Sequence, residues 1–191
     1  MKKFVPLILA TMVGGVFSTS AIAADPQATV VWNGFVGSSV AGDKLVITGA
    51  GGVELNDANT RGTLFVNNDG TFTSSELTLE ARSNDWKTGD TGNAIDNPVI
   101  GALKDADWKV TKVEYMLGGN IVQSITPKVT DTLSSTDFTV GGTGVAKKQT
   151  LSLRVSNATP ITKTTDPNVN VEGAASVAVT VVASEVVTAT P

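Results

Sequence analysis

The sequence predicts an all-β protein, folded as an antiparallel β-sandwich in one domain. Runs rich in Val and Thr are short and are separated by Gly, Asn and Asp, which is the pattern of strands and turns. No segment has a long apolar period of 3.6 residues, so no long amphipathic helix is expected. The runs recur at regular spacing and give about eight or nine strands, a number typical of a sandwich. No linker and no internal repeat interrupts them.

Residues 1–23 predict a secretory signal peptide. Met1-Lys2-Lys3 is positively charged, Phe4–Phe17 is mostly apolar, and Ala21-Ile22-Ala23 is a small-x-small cleavage site. The apolar run is shorter than the roughly 20 residues that cross a bilayer. We therefore expect export, and a mature chain that begins near Ala24.

The first predicted strand runs from Ala28 to Val36. Its even positions are all apolar or Gly, whereas its odd positions are mixed. The even positions are Ala28, Val30, Trp32, Gly34 and Val36. In one interpretation this strand pairs within its own sandwich, and Gly34 marks a bulge or a close approach. In the other it is a donor strand, which leaves its own subunit and fills a hydrophobic groove in the next one by β-strand addition.

The segment that follows predicts a strand and then a hairpin. Lys44–Thr48 is a short strand ended by Gly49-Ala50-Gly51-Gly52. Asp69-Gly70 lies between the β-rich runs Gly62–Val66 and Thr71–Thr73. Asp-Gly in that position indicates a hairpin, because Gly tolerates the positive φ of a primed turn.

A period of two continues through Leu77, Leu79 and Ala81. The polar stretch Ser83–Asn97 is predicted to be a loop. A short turn of helix is expected after it, near Val99–Lys104.

The long strand Trp108–Leu117 changes its apolar phase by one residue, which predicts a β-bulge. Gly118-Gly119-Asn120 then turns the chain into a strand at Ile121–Ile125. The remaining predicted strands are Phe138–Val140, Gln149–Ser156 and, after a Pro- and Thr-rich loop at Asn157–Asn170, Ala174–Ala183. On the last strand Val177, Val179 and Val181 share one face.

The composition excludes several common kinds of catalytic and metal-binding site. The chain has no Cys and no His, which removes thiolate sites, the commonest zinc ligand and the usual catalytic triad. Loss of Lys2 and Lys3 with the signal peptide leaves 12 basic and 18 acidic residues, a net charge of −6. That balance argues against nucleic acid as a partner. We expect a protein that is not an enzyme and needs no cofactor.

Two groups of acidic residues are candidates for a calcium site and a catalytic site. Asp85, Asp90, Asn93 and Asp96 offer oxygen ligands for calcium, but they lack the EF-hand spacing and a closing bidentate Glu. A solvated loop is therefore the favoured interpretation. Two more carboxylates, Asp105 and Asp107, are expected to cap or solvate an element rather than to act in catalysis, since no residue pairs with them.

A few cationic and aromatic residues remain as candidate contacts. The arginines Arg61, Arg82 and Arg154 could meet an acidic glycan, although scattered singly they are expected to be surface charges. Trp86 lies in a polar loop, where it could stack on a sugar face. Trp108 lies in a strand and is expected in the core.

Short stretches at both ends of the chain resemble bacterial fimbrial major subunits, specifically pilins of the coli surface antigen five type from enterotoxigenic Escherichia coli. The mature chains of that family also open with alternating hydrophobics around a Trp-x-Gly core. The middle of this chain, 42–137, has no matching stretch. The matching stretches are Val30-Val31-Trp32-Asn33-Gly34-Phe35-Val36, Lys147-Lys148-Gln149-Thr150-Leu151-Ser152-Leu153 and Glu172-Gly173-Ala174-Ala175.

The resemblance implies a pilin of the chaperone–usher pathway. Such a subunit is an incomplete immunoglobulin-like antiparallel β-sandwich, completed by the donor strand of a neighbouring subunit. A periplasmic chaperone lends a strand, and an outer-membrane usher exchanges it for the N-terminal strand of the next subunit. The resemblance thus implies identical pilin subunits, a chaperone and an usher as partners, with a tip adhesin and a host-cell receptor beyond them, and a place in the fimbrium at the cell surface.

Carried onto this chain, the resemblance makes 24–37 the donor strand and 38–191 the pilin domain. Val177, Val179 and Val181 would border the acceptor groove. The terminal Pro191 cannot donate a ladder hydrogen bond, so either the last strand extends to about Thr188 or the tail is free. The alternative function is a monomeric exported β-sandwich that binds a glycan or matrix partner.

Overall fold

The computed structural model describes residues 24–33, 38–55, 61–142, 144–161 and 174–186. The predicted signal peptide, Gly34 and Val36 lie outside these residues. The described part is all-β, apart from a three-residue 3-10 turn at Ala50–Gly52. Its strands are β1 Gln27–Trp32, β2 Ser38–Val40, β3 Leu45–Gly49, β4 Arg61–Gly62, β5 Leu64–Val66, β6 Phe72–Ser74, β7 Leu77–Asn84, β8 Ile100–Leu103, β9 Ala106–Leu117, β10 Asn120–Ile121, β11 Lys128–Asp131, β12 Thr136–Phe138, β13 Val145–Lys148, β14 Thr150–Asn157 and β15 Ala175–Glu185.

These strands form two sheets. The first has the order β10-β9-β15-β1-β2, with β13 also paired to β9 and β4 to β1. The second has the order β12-β11-β14-β6-β5, and β7 joins β14 to β3 and β8. Inward side chains of both sheets belong to one hydrophobic cluster, as in a β-sandwich. The predicted all-β fold with two sheets is confirmed.

The two longest strands, β9 and β15, carry the bulge that the sequence predicts. Thr180 pairs with Lys112 and Val181 with Val110, so Thr111 has no opposite residue. The hydroxyl of Thr111 donates to the carbonyl of Thr180 at 3.3 Å. The extra residue turns Trp108 and Val110 on one side of the bulge, and Tyr115 and Leu117 on the other, toward the same core.

The predicted hairpin is confirmed, although its turn is longer than expected. Val66 pairs with Phe72, and Asn67 N–H donates to the carbonyl of Thr71 at 2.8 Å. Three residues therefore form the loop, and only Gly70 among them has a positive φ, of 80°. The type I′ turn that Asp-Gly favours would need positive φ at both central residues, so the Asp-Gly signal located the hairpin but not its turn type.

The helical turn expected near Val99–Lys104 is wrong, because this segment forms β8. Arg82 pairs with Leu103 and Asn84 with Ile100. The N–H of Asp85 and the carbonyl of Val99 extend the pairing at 2.8 Å. Sequence patterns this short do not distinguish a helical turn from an edge strand, and here the open edge of β7 decides.

Several other strand boundaries also differ from expectation. The strand expected at Ile121–Ile125 is only Asn120–Ile121, and β7 continues into the predicted loop as far as Asn84. Three more strands, β2, β11 and β13, had not been predicted. Each is only three or four residues long, so its apolar alternation is too short to recognise in the sequence.

Candidate functional site

The first strand, β1, occupies a central position in its sheet. It pairs antiparallel with β15 along its whole length, from Gln27 opposite Val182 to Trp32 opposite Val177. On its other side it pairs antiparallel with β2 and parallel with β4. We call the space between β15 on one side and β2 with β4 on the other the β1 groove.

The inward face of β1 is completely buried. Ala28, Val30 and Trp32 are each 0% exposed, as are the three valines that face them from β15. The cross-strand pairs are Ala28 with Val181, Val30 with Val179 and Trp32 with Val177. Three of the predicted donor-strand residues, Ala28, Val30 and Trp32, therefore adjoin the predicted groove-edge residues, and they do so within one chain.

On the outward face of this pair, two threonines meet. Thr29 lies opposite Thr180, and their hydroxyl oxygens are 3.1 Å apart. Threonine pairs of this kind stabilise neighbouring strands by hydrogen bonding. This contact lies near the middle of the β1–β15 pairing. A cross-link between these two positions would therefore identify the strand that lies in the groove.

The indole of Trp32 contacts β4 and the turn between β6 and β7. Its N–H donates to the backbone carbonyl of Ser75 at 2.9 Å. Gly62 is its parallel neighbour on β4, and a Cβ atom at Gly62 would overlap Cδ1 and Nε1 of the ring. A residue with no side chain is therefore required at position 62 to admit the ring.

Asn33 ends β1 and ties it to β5. It has a left-handed φ of 54°, a conformation that Asn tolerates better than most residues. Its side-chain oxygen accepts from the N–H of Leu64 at 3.0 Å, and its side-chain nitrogen donates to the carbonyl of Leu64 at 3.3 Å. Its own backbone N–H donates to the carbonyl of Gly62 at 2.9 Å.

Asn33, Gly62 and Ser75 were not predicted as parts of the β1 groove. A polar Asn directly after a Trp in an apolar strand is a signal for the first, and a Gly at the start of a β-rich run is a weaker signal for the second. Ser75 contributes only a backbone carbonyl to Trp32, so its side chain carries no signal for this contact.

The chain before β1 is also anchored. The hydroxyl of Ser184 donates to the carboxylate of Asp25 at 2.7 Å, and the N–H of Asp43 donates to the carbonyl of Ala24 at 3.2 Å. These contacts join the beginning of the predicted mature chain to the end of β15 and to the turn before β3. They extend the contacts of β1 beyond the strand itself.

The remaining aromatic candidates separate clearly. Trp108 is 0% exposed and donates from its indole to the carbonyl of Lys148 at 2.8 Å, which confirms the expected core position. Trp86 is half-buried and lines a cavity of about 710 Å³ together with Asp85, Lys87, Asp90 and Val99. Its indole N–H is buried and has no hydrogen-bond partner among the described residues.

Arg82 and Arg154 each form an ion pair. Arg82 binds the carboxylate of Glu80 at 2.8 Å, and that carboxylate also accepts from the backbone N–H groups of Gly51 and Gly52. Arg154 pairs with Glu76 at 2.6 Å on the surface. Arg61 begins β4 and is exposed.

Burial raises the pKa of Glu80, but the hydrogen bonds from Gly51 and Arg82 outweigh it and hold that pKa below its usual value. Its carboxylate therefore stays charged at neutral pH and orders the turn after β3.

Several of the acidic candidates accept hydrogen bonds from backbone N–H groups. Asn93 accepts from the N–H groups of Ile95 and Asp96, and Asp90 accepts from the N–H of Lys87 at 2.7 Å. Asp107 accepts from the N–H of Lys147 at 3.0 Å, whereas Asp105 precedes β9 and is exposed. Within the described residues, no three acidic side chains cluster as metal ligands would.

None of the described segments forms a helix with the length and hydropathy needed to cross a bilayer. Comparison with known proteins finds no matching family model, no matching curated protein and no matching solved structure. The β1 groove and its residues are therefore the candidate functional site.

Proposed function

We propose that this chain is the structural major subunit of an adhesive fimbria, which polymerises head to tail by donor-strand exchange and supports attachment to host surfaces. In this proposal residues 38–191 are an incomplete immunoglobulin-like sandwich, and residues 24–37 complete the sandwich of the next subunit. The observation that supports it most is the position of β1, a strand near the predicted mature N-terminus that lies between two partners at the centre of a sheet.

The energetics of the groove favour a permanent occupant. Full burial of a large apolar side chain contributes about 1.5–3 kcal/mol, and β1 buries Val30 and Trp32 completely. Withdrawal of β1 would also expose Val177, Val179 and Val181 along an open strand edge. An open apolar edge of this kind aggregates, so a subunit with an empty groove would need a chaperone to survive export.

The connection of β1 to the rest of the chain allows the same contacts to form between copies. Gln27–Thr29 pair with Ser38–Val40, so β1 and β2 form a hairpin whose connection spans residues 33–37. In the proposed exchange, β1 enters the groove of a second copy and repeats there the contacts it makes in its own. Exchange of one element in a head-to-tail sense leaves a free strand at one end and a free groove at the other, which generates an open polymer.

The pair Thr29 and Thr180 allows a direct test, because the natural chain has no Cys to interfere. A double variant, Thr29→Cys with Thr180→Cys, would be expressed in a cell that supplies chaperone and usher. Exchange between subunits predicts a ladder of disulfide-linked multimers that survives boiling and collapses with reductant. A disulfide-closed monomer without any ladder would contradict the proposal.

A matched control uses a pair that belongs to one chain in either case. Lys112 lies opposite Thr180 on the other side of β15. The variant Lys112→Cys with Thr180→Cys should give only a closed monomer, whether or not subunits exchange strands. Each single Cys variant should show no ladder, which excludes random oxidation between neighbouring fibres.

A monomeric glycan- or matrix-binding β-sandwich is the second candidate. It is favoured by the pairing of β1 within its own chain and by the cavity at Trp86, where an aromatic ring lies beside two carboxylates. This function predicts the closed monomer in the cysteine experiment. It further predicts that Trp86→Ala abolishes binding to host cells while the protein stays monomeric and folded.

A further inference from the structure

The alternation of β1 does not by itself determine its register in the groove. Side chains repeat with a period of two along a strand, so a shift of two residues again directs apolar side chains inward. After such a shift, Val30 would occupy the place of Trp32, with a far smaller side chain. Another contact must therefore fix which residue of the strand lies opposite Val177.

The residues around Trp32 supply that contact. Gly62 leaves space for an indole ring, and the carbonyl of Ser75 accepts from an indole N–H. A valine in this place would leave the space empty and the carbonyl without that donor. The match is therefore specific to a ring with an N–H donor, which among the natural side chains of this size means Trp.

The next residue reinforces the same register. Both polar groups of the Asn33 side chain bind the backbone of Leu64, and the backbone N–H of Asn33 binds the carbonyl of Gly62. A shift by one or two residues removes both side-chain hydrogen bonds to Leu64, because no residue adjacent to Asn33 in this strand has a side-chain amide; the backbone bond to Gly62 has no such preference. The requirement is thus for Trp followed directly by Asn.

The accepting groups are positioned by the groove and not by β1. The N–H of Ser75 donates to the carbonyl of Thr63 at 2.9 Å, and the hydroxyl of Ser75 accepts from the N–H of Thr63 at 2.9 Å. These two bonds hold the segment that passes from β4 to β5 against the end of β6. The site therefore presents its carbonyls in a defined geometry to whichever strand enters.

We propose that Gly62, Leu64 and Ser75 form a selection site that reads a Trp-Asn pair in the entering strand, sets its register and restricts the occupant to a second copy of this chain. This inference rests on the proposed strand exchange. It adds a rule of partner choice: an N-terminal strand with the same apolar alternation but without Trp-Asn is rejected.

The test measures strand entry between two differently tagged full-length subunits, expressed together in a cell that assembles fibres. The donor subunit carries Thr29→Cys and the acceptor subunit carries Thr180→Cys. A disulfide that joins the two differently tagged subunits therefore shows that the donor strand has entered the groove. The donor has either Trp32 or Trp32→Val, and the acceptor has either Gly62 or Gly62→Ala. We expect Gly62→Ala to reduce the cross-link to the Trp32 donor at least tenfold, because the added methyl overlaps the ring.

The decisive combination is the Trp32→Val donor with the Gly62→Ala acceptor. Valine lacks the Cδ1 and Nε1 atoms that a Cβ at position 62 would overlap, so the Trp32→Val donor should enter the Gly62→Ala acceptor better than the Trp32 donor does. A matched control is an acceptor with Thr63→Ala, because the exposed side chain of Thr63 follows Gly62 in sequence and only the backbone of Thr63 binds Ser75. It should accept the Trp32 donor as the unchanged groove does.

The outcomes distinguish a failure of the strand exchange from a failure of the selection site alone. No cross-link between unchanged donor and acceptor would overturn the strand exchange and the selection site with it. A normal cross-link that Gly62→Ala leaves unaltered, or reduces equally for both donors, would overturn the selection site alone. An Asn33→Ala donor tests the second half of the motif, and entry equal to that of the unchanged donor would remove Asn33 from the rule.

Discussion

Trp32 and Ser75 are 43 residues apart in sequence and are joined by a hydrogen bond of 2.9 Å from the indole N–H to the backbone carbonyl. Trp86 shows the opposite situation, since its indole N–H is buried without an acceptor in the described part of the chain. The same substitution should therefore reduce stability more at position 32 than at position 86.

Replacement of Trp32 by Phe should destabilise the purified protein by about 1–3 kcal/mol, because a buried carbonyl loses its donor and the smaller ring leaves a cavity. The same replacement at Trp86 should cost less than about 1 kcal/mol, since it removes a donor that makes no bond. Urea unfolding followed by circular dichroism measures both values. Equal losses at the two positions would contradict the role assigned to the Trp32 bond.

A second prediction concerns the buried carboxylate of Asp131. It is 0% exposed and accepts from the N–H groups of Ser152, Leu133 and Ser134 as well as from the Ser134 hydroxyl. Asp131→Asn would place an NH₂ group against donors, so we expect a loss of about 2–4 kcal/mol in the free energy of unfolding. Asp137→Asn, on the exposed side of the same hairpin, should change the free energy of unfolding little.

Removal of a buried hydroxyl should stabilise the protein at Tyr115. This side chain is 1% exposed, its hydroxyl has no partner among the described residues, and burial raises its pKa. Tyr115→Phe keeps the ring contact with Phe72, whose centroid is 5.0 Å away, and removes the desolvated group. We expect a gain of about 1 kcal/mol in urea unfolding, and a loss of similar size would show that the hydroxyl has a partner in solution.

The fourth prediction is a pH dependence that originates at Glu80. Its pKa in the folded protein is below its usual value, so its contribution to stability is fully present above about pH 4.3, the ordinary value for Glu. The contribution falls as the pH decreases through the folded pKa. The stability difference between the natural chain and Glu80→Gln should therefore be constant above about pH 6 and shrink below about pH 4. A difference that does not change with pH would refute this assignment.

Residues with strict alternation were predicted well from the sequence. Leu77, Leu79 and Ala81 of β7 and Leu151, Leu153 and Val155 of β14 all face the core as expected. The phase change in β9 also located a bulge, because a single extra residue reverses the side that later residues face. In these strands the polarity of each side chain indicates whether it is buried.

Segments that depend on a neighbour were predicted poorly. Val99–Lys104 has no clear alternation, and its conformation follows from the open edge of β7, which its backbone groups fill. The strand β13 is likewise defined by its pairing with β9 and has little apolar character of its own. Backbone hydrogen bonding to a distant strand leaves no mark on the residues that take part in it.

The sequence by itself determined the all-β class, the absence of Cys and His chemistry, and the apolar face of β1 with Ala28, Val30 and Trp32. Only the tertiary structure decided that Trp32 lies over Gly62 and donates to Ser75, and that Asn33 closes on Leu64. The physical reason is that a period of two specifies which side chains turn inward but is unchanged by a shift of two residues. Register and neighbours arise from contacts between segments that are far apart in the chain, and these contacts exist only after the sheets have packed.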